Sequence, residues 1–189
     1  MRGTHTRHLF SVAPILLFLG FFSLQPSLAA DREVVELNNN GVIAINKKDP
    51  DKAIALLLQA LVKDPTYKHG RDNLAIALKM RAQSDKTDDV SAVRDLVIVL
   101  LMQPESTSAR EALVKRVSAL GKDPKKAETY TTLAADREKS GDRLGAYAEY
   151  KEAQKIKFDE AIQKTAERLR KEMINGGEAL IDLSDECQD

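Results

Sequence analysis

The feature that most constrains this fold is a series of short helical segments separated by tight turns. Between residues 32 and 173, apolar side chains recur every three or four positions, and no sustained alternation of apolar and polar residues predicts a strand. Asp-Pro pairs begin at residues 49, 64 and 123. Because Asp is a preferred helix cap and Pro fits the first helical turn, each pair marks a helix start. The sequence therefore predicts eight helices, at 32–48, 51–63, 67–82, 89–102, 107–120, 124–140, 142–156 and 159–173.

The connections between these segments are short, so sequential helices should pack as antiparallel neighbours. Two segments, 54–62 and 96–102, are apolar on nearly every side. That composition is typical of helices buried between others. The expected fold class is all-α.

Residues 1–29 have the three-part organisation of a secretory signal peptide. A basic start is followed by the nearly apolar residues 9–24, and Ser27 and Ala29 are the small residues of a cleavage site. We expect cleavage after Ala29, no integral membrane span afterwards, and a periplasmic or secreted protein. An uncleaved anchor is the alternative, although this apolar run is shorter than the ~20 residues of a spanning helix.

The remaining residues offer little for site chemistry. The chain has 29 Lys+Arg and 29 Asp+Glu; without Arg2 and Arg7, 27 basic and 29 acidic residues leave a net charge of −2. Nucleic acid is therefore not an expected partner. Beyond residue 29, His69 is the only histidine and Cys187 the only cysteine, so zinc sites, internal disulfides and Cys/His dyads lack their components. We expect no enzyme activity and no cofactor.

A spacing of small residues and larger apolar ones repeats along the helices, at successive intervals of 4, 12, 4, 3 and 5. The first copy consists of Leu37, Gly41, Ala53, Leu57, Ala60 and Pro65. The last four intervals recur at Ala134, Ala146, Tyr150, Ala153 and Phe158. A third copy, which includes Ala75, is lengthened by about five residues in the turn at 83–88. Small residues at such intervals let paired helices approach closely.

This spacing resembles the tetratricopeptide repeat (TPR), over residues 34–104 and 127–158. The resemblance implies that residues 30–174 form antiparallel helix pairs stacked as a short right-handed superhelix, with a C-terminal capping helix. The first helix of each pair would line a concave groove. The chain departs from the family pattern because it has no Trp and because the helix at 107–120 belongs to no complete repeat. Residues 175–189 form an acidic tail outside this domain.

The resemblance also implies which stripe of each first helix faces the groove. In the first helix the stripe is Val35, Asn38, Val42, Ile45 and Asn46. In the second repeat, on the helix predicted at 67–82, it is Asp72, Ile76, Lys79 and Met80. In the third repeat, on the helix predicted at 124–140, it is Thr131, Ala135, Glu138 and Lys139. Apolar positions with interspersed amides suit a bound peptide. The alternative for each residue is packing against neighbouring helices or the chain terminus.

We therefore expect an exported, non-catalytic protein–protein interaction module, an adaptor or assembly factor, that binds a protein or peptide segment in the groove. Two alternatives are a small envelope hydrolase with carboxylate, Ser or Lys chemistry and a structural subunit of an envelope complex. The tail contains Leu180, Ile181 and Leu183 among five acids from Glu178 onward. It either folds back onto the groove, acts as a detachable binding segment or is a frayed end. The sequence defines no oligomeric state.

Overall fold

The computed structural model describes residues 27–178, with side chains from residue 32 onward. Over that range the chain forms eight α-helices and no strand. They are α1 (Ser27–Asn46), α2 (Pro50–Lys63), α3 (Lys68–Gln83), α4 (Asp89–Met102), α5 (Thr107–Ala119), α6 (Ala127–Ser140), α7 (Arg143–Ile156) and α8 (Glu160–Gly176). The prediction of an all-α fold is confirmed.

Two predicted segments lie mostly or wholly beyond this range. Of the predicted signal peptide, only the last three residues are described, and they begin α1; cleavage after Ala29 would remove them. The acidic tail after Glu178 lies outside the described residues. Within residues 27–178, none of the helices combines the length and the apolarity that crossing a membrane requires.

Aspartate side chains cap four helices. The carboxylate of Asp49 accepts a hydrogen bond from the backbone N–H of Lys52 at the start of α2, and Asp88 does the same for α4. Asp142 caps α7, and Asp159 caps α8. Each carboxylate satisfies backbone N–H groups that have no partner within the helix.

The other two Asp-Pro pairs form turns instead of caps. The carboxylates of Asp64 and Asp123 accept hydrogen bonds from the N–H groups of Thr66 and Lys125, each 2.9 Å long. These Asx turns use the carboxylate before a helix has begun. For this reason α6 begins at Ala127, three residues later than the Asp-Pro signal predicts.

Helix α4 is the centre of the packing. The pairs α1–α2, α3–α4 and α6–α7 are antiparallel hairpins, and α3 also packs against α1 and α2. Helix α4 contacts α3, α5 and α7, while α8 covers α7. Burial on several sides explains why residues 96–100 are all apolar. Helix α2 packs between α1 and α3, and its remaining face leaves Val62 45% exposed.

The small residues of the repeated spacing lie at helix contacts. A Cβ added to Gly41 in α1 would lie 2.7 Å from Cγ of Leu57 in α2, which is closer than real Cβ contacts. The alanines of the spacing are fully buried; they are Ala53, Ala60, Ala75, Ala134, Ala146 and Ala153. The close approach of paired helices therefore depends on side chains of this size.

Candidate binding site

A cleft of about 490 Å³ lies where the C-terminal half of α3 meets the start of α5. We call it the α3–α5 cleft; its lining residues are Ile76, Lys79, Met80, Gln83, Ser84 and Ser108. The structure thus brings together the last three residues of the stripe predicted on the first helix of the second repeat, which is α3. Its volume lies within the ~300–1,000 Å³ of typical ligand sites.

The lining combines apolar and polar groups. Ile76 is 45% exposed and Met80 is half-buried, so both present apolar surface to a ligand. Met is flexible and adapts to ligands of different shape. Gln83 supplies an amide, Ser108 a hydroxyl, and Lys79 the one charge among the six lining residues. The cleft can therefore hold an apolar side chain and pair with a nearby carboxylate.

Arg116 fixes the position of α5 relative to α3. Its Nη2 donates a hydrogen bond of 2.7 Å to the carbonyl of Ala82 and one of 3.3 Å to the carbonyl of Ser84. Its Nη1 donates to the carboxylate of Asp89 over 2.8 Å. One guanidinium on α5 therefore binds the end of α3, the following turn and the start of α4. The lengthened turn contains Ser84, which lines the cleft and whose carbonyl Arg116 binds.

The stripe predicted on α1 divides between the interior and the surface. Asn38 is buried, and its Oδ1 accepts a hydrogen bond of 2.8 Å from Nδ2 of Asn73 in α3. Ile45 packs against the hydrophobic core, and Val42 is half-buried. Val35 and Asn46 are exposed. The amide of Asn38 is thus bound within the protein, whereas that of Asn46 is accessible to a ligand.

Other residues of the predicted stripes make local or distant contacts. Asp72 binds Lys68, one turn earlier in α3, at 2.6 Å. The hydroxyl of Thr131 donates to the carbonyl of Glu128 within α6. Glu138 accepts a 2.5 Å hydrogen bond from Arg168 of the capping helix α8.

The stripe residues of α6 lie away from the cleft because of the way the last hairpin packs. The α6–α7 hairpin docks on α4 through α7, and α5 lies beside the end of α3. Thr131 and Glu138 are accordingly not among the residues that line the α3–α5 cleft. Ser108 was not predicted because the helix at 107–120 belongs to no complete repeat. Gln83 and Ser84 were not predicted because the helix predicted at 67–82 ends before them. The short connection at 103–106 was the available signal that α5 follows α4 as the next packed helix.

A buried ion cluster lies between α4 and the last hairpin; we define it as Arg94, Asp95, Arg137, Asp142 and Glu149. Asp95 and Glu149 are fully buried. Burial raises the pKa of Glu149 to about 7, although the charge of Arg137 and its 2.8 Å hydrogen bond oppose this rise. The Oε2 atom of Glu149 has no hydrogen-bond partner. Glu149 is therefore a protonatable group inside a helix interface.

Residues 27–178 contain no group of three or more His, Cys, Asp or Glu side chains placed to hold a metal ion. No protein-family model, curated protein or solved structure matches the chain significantly. The described residues define an all-α protein built from packed helical hairpins, with an open cleft along α3 and α5.

Proposed function

We propose that this protein is an exported, non-catalytic interaction module of the tetratricopeptide-repeat type. It binds a segment of another protein in the α3–α5 cleft and acts as an adaptor or assembly factor. Support for the repeat class comes from the small-residue spacing and from the close Gly41–Leu57 contact between α1 and α2. Support for export comes from the charge and hydropathy pattern of residues 1–29.

The observation that carries this proposal is the exposure of Ile76 beside Met80 in a cleft with polar groups at its edge. Large apolar side chains next to unused amide and hydroxyl groups are typical of surfaces that bind peptides. Lys79 favours a segment that carries a carboxylate near its apolar anchor. The class of ligand is thus a short segment with one large apolar residue and one acidic group.

The experiment selects peptides that bind the immobilised protein from a phage-displayed library of random sequences. Fluorescence anisotropy then measures the affinity of one selected peptide. We expect selected peptides to share an apolar residue next to an acid. Ile76→Lys and Met80→Lys should each weaken binding at least tenfold, because a charge would replace an apolar contact. Val42→Lys tests whether the binding surface continues onto α1.

Ile174→Lys is the matched control, since Ile174 is an equally exposed isoleucine on the capping helix. It should leave the affinity unchanged. Circular dichroism establishes that every variant is folded. Undiminished binding by folded Ile76→Lys and Met80→Lys proteins would exclude the α3–α5 cleft as the binding site.

A further inference from the structure

We propose that residues 179–189, the part of the acidic C-terminal tail that follows Glu178, bind in a second cleft between α2 and the α6–α7 turn. This inference does not depend on the proposed function, because it concerns a different cleft and an occupant from the same chain. The tail would connect the first helical hairpin with the last one.

The second cleft has a volume of about 380 Å³. Leu58 and Val62 of α2 form one wall, and Leu144 of α7 contributes to the other. Arg94 and Arg143 also line it. Val62 is 45% exposed, although most of α2 is apolar. Both arginines already have carboxylate partners that line the same cleft, Arg94 in Asp142 and Arg143 in Glu178. The cleft therefore offers an exposed apolar surface whose charges are balanced.

The described chain ends at this cleft. Gly177 terminates α8 in the left-handed conformation, with φ of 68°, which a glycine adopts without strain. The backbone N–H of Glu178 then donates to the carbonyl of Met173, so the chain folds back on the last turn of the helix. The Glu178 carboxylate accepts a 2.5 Å hydrogen bond from Arg143. Gly177 and Glu178 themselves line the cleft, so residue 179 starts next to it.

The tail has the composition that this surface requires. Leu180, Ile181 and Leu183 are apolar, and Asp182 lies between them. An extended chain covers about 3.5 Å per residue, so Leu180 reaches roughly 7 Å from Glu178 and Leu183 roughly 18 Å. These side chains can cover the apolar walls of the cleft, while the acids of the tail remain in contact with water.

Tethering favours this occupant over a separate molecule. A segment attached within two residues of its site has an effective local concentration on the order of millimolar. A separate peptide of equal affinity would therefore have to be present at about that concentration to displace the tail. The tail is therefore the occupant that the end of α8 places at this site.

The test attaches a nitroxide spin label to Cys187, the single cysteine of the chain. The protein used is the full chain in the form in which the cell produces it. Paramagnetic broadening of backbone amide signals then reports which residues lie near the label. We expect broadening at Leu58, Val62 and Leu144 that does not change with protein concentration. The double variant Leu180→Lys/Ile181→Lys should lose most of it, because it removes the apolar contacts.

Ser184→Lys is the matched control, since it adds a charge to the same tail and keeps the apolar residues; it should keep the broadening. Equal broadening in the double variant would overturn the proposal, because tethering alone would then explain it. Broadening around Ile76 and Met80 would assign the tail to the other cleft and would also overturn it. So would broadening of isotope-labelled molecules by spin-labelled ones in a mixture, which would place the tail on a second copy. Circular dichroism verifies the fold of each variant.

Discussion

Arg94 and Asp142 lie 48 residues apart in the chain and form a two-point ion pair, with hydrogen bonds of 2.6 and 3.0 Å from Nε and Nη2 to the two carboxylate oxygens. The same carboxylate accepts a 3.0 Å hydrogen bond from the N–H of Gly145 and so caps α7. Asp142 therefore both begins α7 and attaches it to α4. Two-point pairs of this kind are among the stronger polar contacts in proteins.

We expect Asp142→Asn to lower the free energy of unfolding by roughly 2 kcal/mol, since Arg94 loses its two-point charged partner and keeps only its 3.2 Å contact with Asp95. Urea unfolding measures this change. Asp136→Asn is the control, because Asp136 is exposed and binds Lys139 only on the surface, at 3.3 Å. It should change the stability by less than about 0.5 kcal/mol. Equal effects of the two substitutions would contradict the role of Asp142.

Stability should fall as the pH rises from 5 to 8 because of Glu149. Burial raises the pKa of Glu149 to about 7 in the folded protein, against ~4.3 in an unfolded chain. Between these values the folded state binds more protons than the unfolded state, so raising the pH favours unfolding. Protonation of Glu149 in the folded protein contributes on the order of 3 kcal/mol to the free energy of unfolding. This stabilisation is complete below about pH 4 and is lost above about pH 7.

Glu149→Gln should remove this part of the pH dependence. Urea unfolding at pH 5, 6, 7 and 8 measures it, with the exposed Glu111→Gln as the control. Asp142 does not titrate between about pH 5 and 8. Burial tends to raise its pKa, but the interaction with Arg94 outweighs burial and holds the pKa below its ordinary value. That carboxylate loses its stabilising effect only in more acidic solution. Parallel pH profiles for the wild type and Glu149→Gln would refute this prediction.

We expect Gly41→Ala to destabilise the protein by about 1–3 kcal/mol. The new methyl group would lie 2.7 Å from Leu57, which is fully buried and has little room to move. This loss should exceed the gain of up to about 1 kcal/mol that Ala brings within a helix. Gly176→Ala is the control, because the nearest atom to its new Cβ is 3.5 Å away. Thermal unfolding should show a lower midpoint for the first variant alone.

The hydrogen bond between the amides of Asn38 in α1 and Asn73 in α3 should give a measurable coupling free energy. Asn38→Ala and Asn73→Ala each remove one partner of the 2.8 Å hydrogen bond. We expect a coupling free energy of about 1 kcal/mol in the double-mutant cycle, since removing the second partner costs less once the first is gone. Additive effects of the two substitutions would show that the hydrogen bond contributes nothing to stability.

The sequence predicted those features that depend on local chemistry. Asp49 predicts the start of α2 because an N-cap acts on residues two or three positions away. Gly41 predicts the contact with Leu57, because the small residues recur at intervals that match paired helices. Both signals lie within one hairpin and are readable without knowledge of the rest of the chain.

Features that depend on distant partners were not predictable in this way. Glu138 has the same position on a helix face as a groove residue, and only the location of Arg168 shows that it binds α8. The docking of α7 on α4 involves Arg94 and Asp142, whose charges follow no periodic pattern. The helical hairpins and three lining residues of the cleft, Ile76, Lys79 and Met80, were therefore predictable, whereas Ser108 of α5 was not.

The central position of α4 makes this chain less modular than a linear repeat array. In such an array each unit contacts only its neighbours, so a terminal unit can be deleted at the loss of one interface. Here the last hairpin returns to a helix of the second hairpin, and α5 packs against that same helix. Shortening the chain after α5 would expose apolar surface in its middle, so the eight helices should unfold together in a single cooperative transition.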